Sequence, residues 1–326
     1  MTAGIDTSAD LVVDVSAALP FAGESNAIAA DVHLPAGTPR AVLVCWPGGS
    51  YGRAYWDAQV PGRSVYSFAE HMTARGFLVI AADHLGVGDS THPADVDAVT
   101  LELMATANAE CVREVRRRLG AGELDAGLGP LPADIAVAGV GHSLGGAICI
   151  VEQAMHQSYD GVANLGFTHG SKDVLDDGPT AARPDAGDAR AAAEEQAKAF
   201  FADWGAGYAT APRAPNHSWL YAADVPADVV AADDLTVTPW PRQSYVDGLT
   251  AGFTVPFAAQ VSCPVLIGFG DQDIPARPRD DAGFYTGCDE ITVVTLPGSA
   301  HCHNFASNRA LLWDRIAAWA ASLTAL

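Results

Sequence analysis

A serine flanked by glycines follows an apolar run of the sequence directly. The run covers residues 135–140, and residues 140–147 read VGHSLGGA, with the serine at Ser143. Gly141 and Gly145 leave room for a sharp turn that lifts the hydroxyl above the end of a strand, at the start of a helix. Backbone N–H groups at a helix N-terminus can stabilise a developing oxyanion. The pattern therefore indicates a nucleophile for acyl transfer.

A serine is a weak nucleophile at neutral pH, so it needs a base and an acid that orients the base. Carboxylates suited to the acid follow the apolar run 264–269, in the stretch GDQDIP, which holds Asp271 and Asp273. Asp173 follows an earlier apolar run and is a third candidate. Because such a triad is defined by geometry rather than by position in the chain, the residues leave this choice open.

Two histidines suited to the base come later in the chain. Residues 297–305 read PGSAHCHNF and contain His301 and His303. The chain order serine, acid, histidine is the order found in protein folds that contain a nucleophile elbow. Either histidine satisfies this order, and the residues alone do not decide between them.

The elements that must position these side chains alternate between strand and helix. Continuous apolar runs predict strands buried on both faces of a parallel sheet, at residues 41–46, 77–82, 135–140, 165–168, 264–269 and 291–296. Helices are predicted between them at residues 64–75, 101–119, 144–157, 277–285 and 305–323. The alternation predicts an α/β fold with helices on both faces of the sheet. Serine, acid and histidine then all follow strand ends, where ligands of such sheets bind.

The alternation breaks between residues 171 and 261. This segment is first rich in alanine and aspartate, then rich in aromatic residues and proline. A structureless loop of such length is uncommon in a compact domain, so an insertion with its own helices is predicted. The alanine-rich part, residues 182–201, predicts a surface helix without a role in the chemistry.

Composition excludes several classes of partner. The 326 residues carry a net charge of −21, which repels nucleic acid and anionic membrane surfaces. The N-terminus lacks a basic, apolar leader, and no apolar run approaches the roughly 20 residues that span a bilayer, so a cytoplasmic protein is expected. The six cysteines are scattered and predict neither a disulfide framework nor a zinc site. A homodimer is the default expectation, because two-fold assemblies are commonest.

These motifs resemble those of the α/β-hydrolase superfamily over nearly the whole chain. Besides VGHSLGG, residues 83–90 read DHLGVGDS, similar to the loop after the family's fourth strand. Residues 46–52 read WPGGSYG, similar to the loop after its third strand, although Pro47-Gly48 replaces the usual His-Gly. The resemblance implies a core of residues 1–170 and 262–326, with a mainly helical cap at 171–261.

The resemblance also implies roles for individual residues. Ser143 matches the nucleophile, Asp273 the acid and His301 the base. The N–H groups of Leu144 and Gly49 match the oxyanion donors, with Ser50 as the competing choice for the second. No metal or organic cofactor is implied.

A serine at this position points to ester or lactone hydrolysis, since an alkoxide leaves more readily than an amine. The aromatic cap predicts an apolar pocket, with substrate contacts expected from Ser50, Tyr51, His217, Trp219, Tyr221 and Trp240. A bulky hydrophobic or aromatic ester or lactone is therefore the expected substrate, and a macrocyclic lactone of the zearalenone type is one candidate. Alternatives are a carbon–carbon bond hydrolase, recognised in similar enzymes by an arginine and an asparagine over the site, and a ligand-binding protein without turnover.

Overall fold

An eight-stranded, mostly parallel sheet forms the centre of the protein. The computed structural model describes residues 8–21, 23–170, 186–201, 203–274 and 278–323. Its strands are β1 Ser8–Asp14, β2 Ala27–His33, β3 Val42–Trp46, β4 Leu78–Ala82, β5 Val137–His142, β6 Gly161–Leu165, β7 Tyr208–Ala209, β8 Trp240–Pro241, β9 Val265–Gly270 and β10 Ile291–Leu296. The large sheet has the order β1-β2-β4-β3-β5-β6-β9-β10, and β7 pairs only with β8. In the large sheet β2 is antiparallel to both of its neighbours, β1 and β4, and all other neighbouring strands are parallel. β7 and β8 are antiparallel.

Helices cover both faces of this sheet. They are α1 Phe68–Thr73, α2 Leu101–Ala121, α3 Leu144–His156, α4 Ala186–Phe200, α5 His217–Leu220, α6 Ala227–Asp234, α7 Arg242–Leu249, α8 Val255–Ala258 and α9 Arg309–Ser322. Side chains of α1 and α9 pack with Leu43 and Val79 on one face, whereas α2 and α3 pack with Val44 and Ile80 on the other. In the described residues, no helix is both long and apolar enough to cross a bilayer.

The predicted α/β class is confirmed, with differences in detail. The strand predicted at 165–168 lies earlier, at Gly161–Leu165, and the helix predicted at 277–285 is a 3-10 helix at Pro278–Phe284. β1 and β2 were not predicted, because their polar residues interrupt the apolar pattern. Both strands lie at one edge of the sheet, where antiparallel strands tolerate such alternation.

Helices α4 to α8 belong to the segment between β6 and β9. Its described part, residues 186–201 and 203–261, has a small apolar core of its own where α4 packs against α7, with Ala197, Phe201 and Val246 buried. The segment lies over the carboxyl ends of the strands, since Trp219 is 5.0 Å from the His301 ring. It therefore closes one side of any site at these strand ends.

A buried acid in α3 makes the stability of the fold depend on pH. Glu152 is fully buried and accepts a hydrogen bond from the Tyr159 hydroxyl, at 2.7 Å. Burial raises the pKa of Glu152 to about 8 from 4.5, against the opposing effect of the hydrogen bonds from Tyr159 and Ser158. The neutral acid is the form that suits the fold, so its stabilisation is complete below pH 4.5 and is lost as pH rises through about 8.

We therefore expect Glu152→Gln, which cannot ionise, to gain stability relative to the wild type as pH rises from 5 to 8. The gain is at most roughly 5 kcal/mol in the free energy of unfolding. Urea unfolding of both proteins at pH 5, 7 and 9 measures it. A difference that stays the same at all three pH values contradicts the prediction.

Candidate active site

The turn from β5 to α3 carries Ser143 in a strained conformation. Its φ is 52° and its ψ is −124°, a region that side-chain-bearing residues rarely adopt. A Cβ on Gly141 would lie 2.4 Å from the Gly145 carbonyl oxygen, and a Cβ on Gly145 would lie 2.3 Å from that of Pro47. Only glycine fits at either position, so the flanking glycines permit the turn that presents the half-buried serine.

Ser143, His301 and Asp273 form a continuous hydrogen-bonded chain. His301 Nε2 lies 2.9 Å from Ser143 Oγ, and His301 Nδ1 lies 2.6 Å from Asp273 Oδ1. His301 and Asp273 are 3% and 5% exposed, so water reaches this chain mainly from the serine side. The carboxylate fixes Nδ1 as the protonated nitrogen, which leaves Nε2 free to accept the serine proton.

The other candidates for acid and base occupy different places. His303 Nε2 donates to the second oxygen of Asp273, at 2.7 Å, and does not reach the serine. Asp271 is exposed and accepts a hydrogen bond from the Gly298 N–H, at 2.7 Å. Asp173 lies outside the described residues. Among the described candidates, only Asp273 contacts a histidine that contacts Ser143.

The surroundings favour an ionised acid and a neutral neighbouring histidine. Burial would raise the pKa of Asp273, but the attraction of His301 and the hydrogen bonds from His301 and His303 lower it below its ordinary value. Burial, followed by repulsion from His301 and His303, lowers the pKa of His142 well below 6.5. His142 Nε2 donates to the His301 carbonyl at 2.9 Å, so this neutral ring supports the backbone of His301.

The loop after β3 lies beside the serine. A Cβ on Gly48 would be 2.9 Å from the Ser143 Cβ, and a Cβ on Gly49 would be 2.2 Å from the Tyr245 hydroxyl. Both glycines therefore permit close approaches, one to the nucleophile and one to α7. Leu144 is the first residue of α3, where backbone N–H groups have no acceptor within the helix. Leu144 follows Ser143 directly, and Gly49 lines the same cavity as Ser143.

Two cavity compartments meet at Ser143 and share Leu144, Phe200, Trp219 and Tyr245 in their walls. Their volumes are about 90 and 80 Å³. The loop-side compartment is further lined by Gly48, Gly49, Ser50, Tyr51, His142, Ala211, Pro212, Arg213, Asn216, Leu220 and His301. The apolar compartment is further lined by Phe167, Gly248, Leu249 and Ile274. Both compartments are thus mostly apolar, and the loop-side compartment has the larger polar share.

Half of the predicted substrate contacts line these compartments. Ser50, Tyr51 and Trp219 do so. Trp240 is fully buried, and its Nε1 donates to the Tyr51 carbonyl at 2.9 Å. The Tyr221 hydroxyl donates to the buried Asp233, and His217 bonds Asp234 at 2.9 Å. Trp240, Tyr221 and His217 line neither compartment, because their side chains serve contacts within the insertion or between it and the core.

Sequence reasoning missed several lining residues. Phe200 ends α4, the alanine-rich helix that was expected to have no role at the site, yet it lines both compartments. Phe167 follows β6 and Ile274 follows Asp273, so their places after strand ends are the signals that could have found them. Arg213 carries no such signal. In the described part of the chain, no group of three or more His, Cys, Asp or Glu side chains is arranged to hold a metal ion.

Comparison with known proteins agrees with this architecture. Residues 43–314 match a family model described as the alpha/beta hydrolase family. A search of curated protein sequences finds no match. Similar solved structures include a thermophilic esterase from Thermogutta terrifontis, with 16% identity, 97% of this chain and 99% of that chain covered, and a TM-score of 0.67.

Two further similar structures are those of an esterase and a peptidase. A carboxyl esterase from Bacillus coagulans has 17% identity, 98% and 99% coverage of the two chains, and a TM-score of 0.66. A proline iminopeptidase from Mycobacterium smegmatis has 17% identity, 97% and 99% coverage, and a TM-score of 0.59. At these identities the likeness shows the fold alone.

Proposed function

The chain belongs to the alpha/beta hydrolase family, and from this membership we propose that it is a serine hydrolase of carboxylic esters that carry an apolar or aromatic group. One observation carries the proposal: the chain of short contacts from Ser143 Oγ through His301 to Asp273, which opens onto a largely apolar cavity. We also propose the division into a core, residues 1–170 and 262–326, and a cap, residues 171–261. The position of the described cap residues over Ser143 supports it.

The mechanism follows from the positions of these atoms. His301 Nε2 takes the Ser143 proton while Oγ attacks the ester carbonyl carbon, and the Leu144 and Gly49 N–H groups stabilise the oxyanion. His301 then gives that proton to the leaving alkoxide, which leaves an acyl group on Ser143. Water attacks the acyl group and passes its proton to His301. The acid leaves as Ser143 regains a proton from His301.

The two compartments support the proposed substrate class. A carbonyl carbon at Ser143 divides an ester into an acyl and an alcohol part, and each part needs its own space. The apolar compartment, lined by Phe167, Leu249 and Ile274, suits a hydrocarbon or aryl group. The loop-side compartment adds Ser50 and Tyr51, whose hydroxyls bond Tyr245 and Asp233, and it is the space for the other part of the ester. A lactone joins both parts in one ring, so lactones belong in the same test.

The proposal is tested with p-nitrophenyl esters of increasing acyl length, together with aromatic lactones and a macrocyclic lactone of the zearalenone type. We expect turnover of esters and a preference that shifts to shorter groups in Leu249→Trp, because the indole fills the apolar compartment. Leu235→Trp is the matched control, since Leu235 is 88% exposed. Absence of turnover over the whole series contradicts the proposed function. An unchanged preference in Leu249→Trp contradicts the assigned compartment.

His303 is expected to support Asp273 without being the base. In His303→Phe the second oxygen of Asp273 loses the hydrogen bond from the imidazole and keeps a long one, 3.4 Å, from the Gly270 N–H. We expect kcat to fall by about tenfold, the scale of one hydrogen bond to a charged group. His303→Gln keeps a donor and is expected to lose less. Steady-state kinetics with one ester measures both variants. A loss in His303→Phe as large as that of removing the nucleophile would make His303 the base instead.

Carbon–carbon bond hydrolysis is a second candidate, because Arg213 and Asn216 both line the loop-side compartment. Most of their polar atoms, however, bond to the protein, although Arg213 Nε has no partner among the described residues. Arg213 binds Asp233 and the Ser50 carbonyl. The Asn216 amide donates to Pro212 and accepts from Trp219. These contacts favour the ester proposal, and a vinylogous diketone in the substrate panel tests the alternative.

A further inference from the structure

The loop that carries the proposed oxyanion donor contains a second strained serine. Ser50 has a φ of 64°, and Ser143 and Gln157 are the only other non-glycine residues of the described chain with positive φ. Ser50 is buried and follows Gly49 directly. Such a conformation persists only when surrounding contacts impose it. The Ser50 carbonyl and the Tyr51 N–H belong to one planar peptide group, and that N–H donates to the Gly48 carbonyl at 3.1 Å. The Gly48 carbonyl and the Gly49 N–H belong to another, so whatever holds the Ser50 carbonyl also restricts the direction of the Gly49 N–H.

The contacts that hold Ser50 come from the insertion. Arg213 Nη2 and the Thr238 N–H both donate to the Ser50 carbonyl, at 2.8 and 3.0 Å. The Tyr245 hydroxyl lies 2.9 Å from Ser50 Oγ. The next carbonyl, that of Tyr51, accepts from the Trp240 indole. The loop is therefore held on its cap side by four groups.

Arg213 is the charged member of this set, and several groups of the protein hold its guanidinium. It is 4% exposed, its Nη1 lies 3.0 Å from Asp233 Oδ2, and its guanidinium carbon lies 3.6 Å from the centre of the Tyr51 ring. Asp233 also accepts hydrogen bonds from the Tyr51 and Tyr221 hydroxyls. The desolvation of a buried ion pair offsets much of the attraction between its charges, so such a pair is weak evidence of net stabilisation. The pair therefore suits positioning better than stabilisation.

The same part of the insertion also holds the backbone at the base. The His301 N–H donates to the Trp219 carbonyl at 3.1 Å, and the Cys302 N–H donates to the Leu220 carbonyl at 2.8 Å. Cys302 Sγ lies 3.2 Å from the Tyr51 hydroxyl. The oxyanion loop and the loop that bears His301 thus share one scaffold.

We infer that Arg213 is a positioning residue of the oxyanion hole: anchored by Asp233, it holds the Ser50 carbonyl and so aims the Gly49 N–H at the developing oxyanion. This inference rests on the proposed function. The oxyanion forms only once the carbonyl is attacked and is absent from the bound substrate. A misdirected Gly49 N–H therefore lowers kcat and leaves KM nearly unchanged. A merely structural role would instead lower the amount of folded protein.

The test compares Arg213→Met and Arg213→Lys with Arg242→Met. Lysine keeps the charge beside Asp233 but cannot bond both that carboxylate and the Ser50 carbonyl with a rigid fork. Arg242 is the matched control, because this cap arginine pairs with Asp97 of the core, at 2.7 Å, and contacts no residue of the oxyanion loop. Kinetics on a p-nitrophenyl ester, melting temperature and hydrogen exchange of the peptide containing residues 48–52 are measured for all.

We expect kcat to fall 10- to 100-fold in both Arg213 variants, with KM changed less than about threefold and faster exchange in the loop peptide. Arg242→Met is expected to leave both kcat and the exchange of the loop peptide unchanged. A loss confined to KM, or loop exchange equal to that of Arg242→Met, would overturn the inference. If the wild type hydrolyses no ester, the proposed function fails, and the exchange comparison still decides whether Arg213 holds the loop.

Discussion

Ser143→Ala is expected to lower kcat for a p-nitrophenyl ester by at least about a thousandfold. The variant keeps His301, Asp273 and the oxyanion donors, but no atom remains 2.9 Å from His301 Nε2 to attack the carbonyl. Residual turnover would come from water activated by the same histidine. The measurement is steady-state hydrolysis by both proteins, purified alike and matched by circular dichroism.

Ser143→Gly is the companion variant that separates chemistry from backbone strain. It also lacks the nucleophile, yet glycine adopts a φ of 52° and a ψ of −124° without a Cβ penalty. We expect it to melt at a higher temperature than Ser143→Ala while being equally inactive. We expect both variants to keep about a thousandth of the wild-type activity or less. If both kept more than about one per cent, a loss of about a hundredfold or smaller, the nucleophile would lie elsewhere.

The nucleophile elbow could be predicted from sequence because its requirements are local. Gly141 and Gly145 are dictated by backbone atoms within a few residues or on the adjacent strand. The acid was harder, since Asp271 and Asp273 are two residues apart in one loop. Only the folded loop shows that Asp271 turns outward to the Gly298 N–H whereas Asp273 turns inward to two histidines.

The misplaced strand shows a limit of apolar patterns. β6 contains Asn164, a fully buried amide that its apolar pattern does not predict. Its Nδ2 donates to the Phe167 carbonyl and to the Tyr285 hydroxyl, both at 2.9 Å. The second partner lies 121 residues away in the sequence, so the bond that makes this burial tolerable is a tertiary one.

The cavity walls could be predicted least. Aromatic residues of the insertion were expected to divide between its core and the pocket, but the sequence does not show which goes where. Trp240 is buried against the ring of His84 of the core, and Tyr245, five residues later, lines both compartments. That difference depends on how β8 and α7 are oriented over the sheet. Arg213 acquires its place only through Asp233 and Ser50, which lie far from it in sequence.

Asp273→Asn is expected to lower kcat by about 10⁴-fold, the scale seen when a triad acid loses its charge but keeps its shape. The carboxylate accepts the His301 Nδ1 proton at 2.6 Å. An amide NH₂ facing Nδ1 would favour the opposite tautomer, which carries its proton on Nε2. A protonated Nε2 cannot accept the serine proton. The low pKa of Asp273, caused by the two histidines against the effect of burial, shows that both are arranged around a charged group.

Asp271→Asn is the matched control for this prediction, because it makes the same chemical change two residues away. Asp271 is exposed and bonds only the Gly298 N–H among the described residues, a bond that an asparagine oxygen can also accept. We expect its kcat to stay within about threefold of the wild type, since no reacting group touches it. Steady-state kinetics on one ester compares both variants at equal folded concentration. A larger loss of kcat in Asp271→Asn than in Asp273→Asn would identify Asp271 as the acid. If neither variant lost much activity, the acid would lie outside the described residues, as Asp173 does.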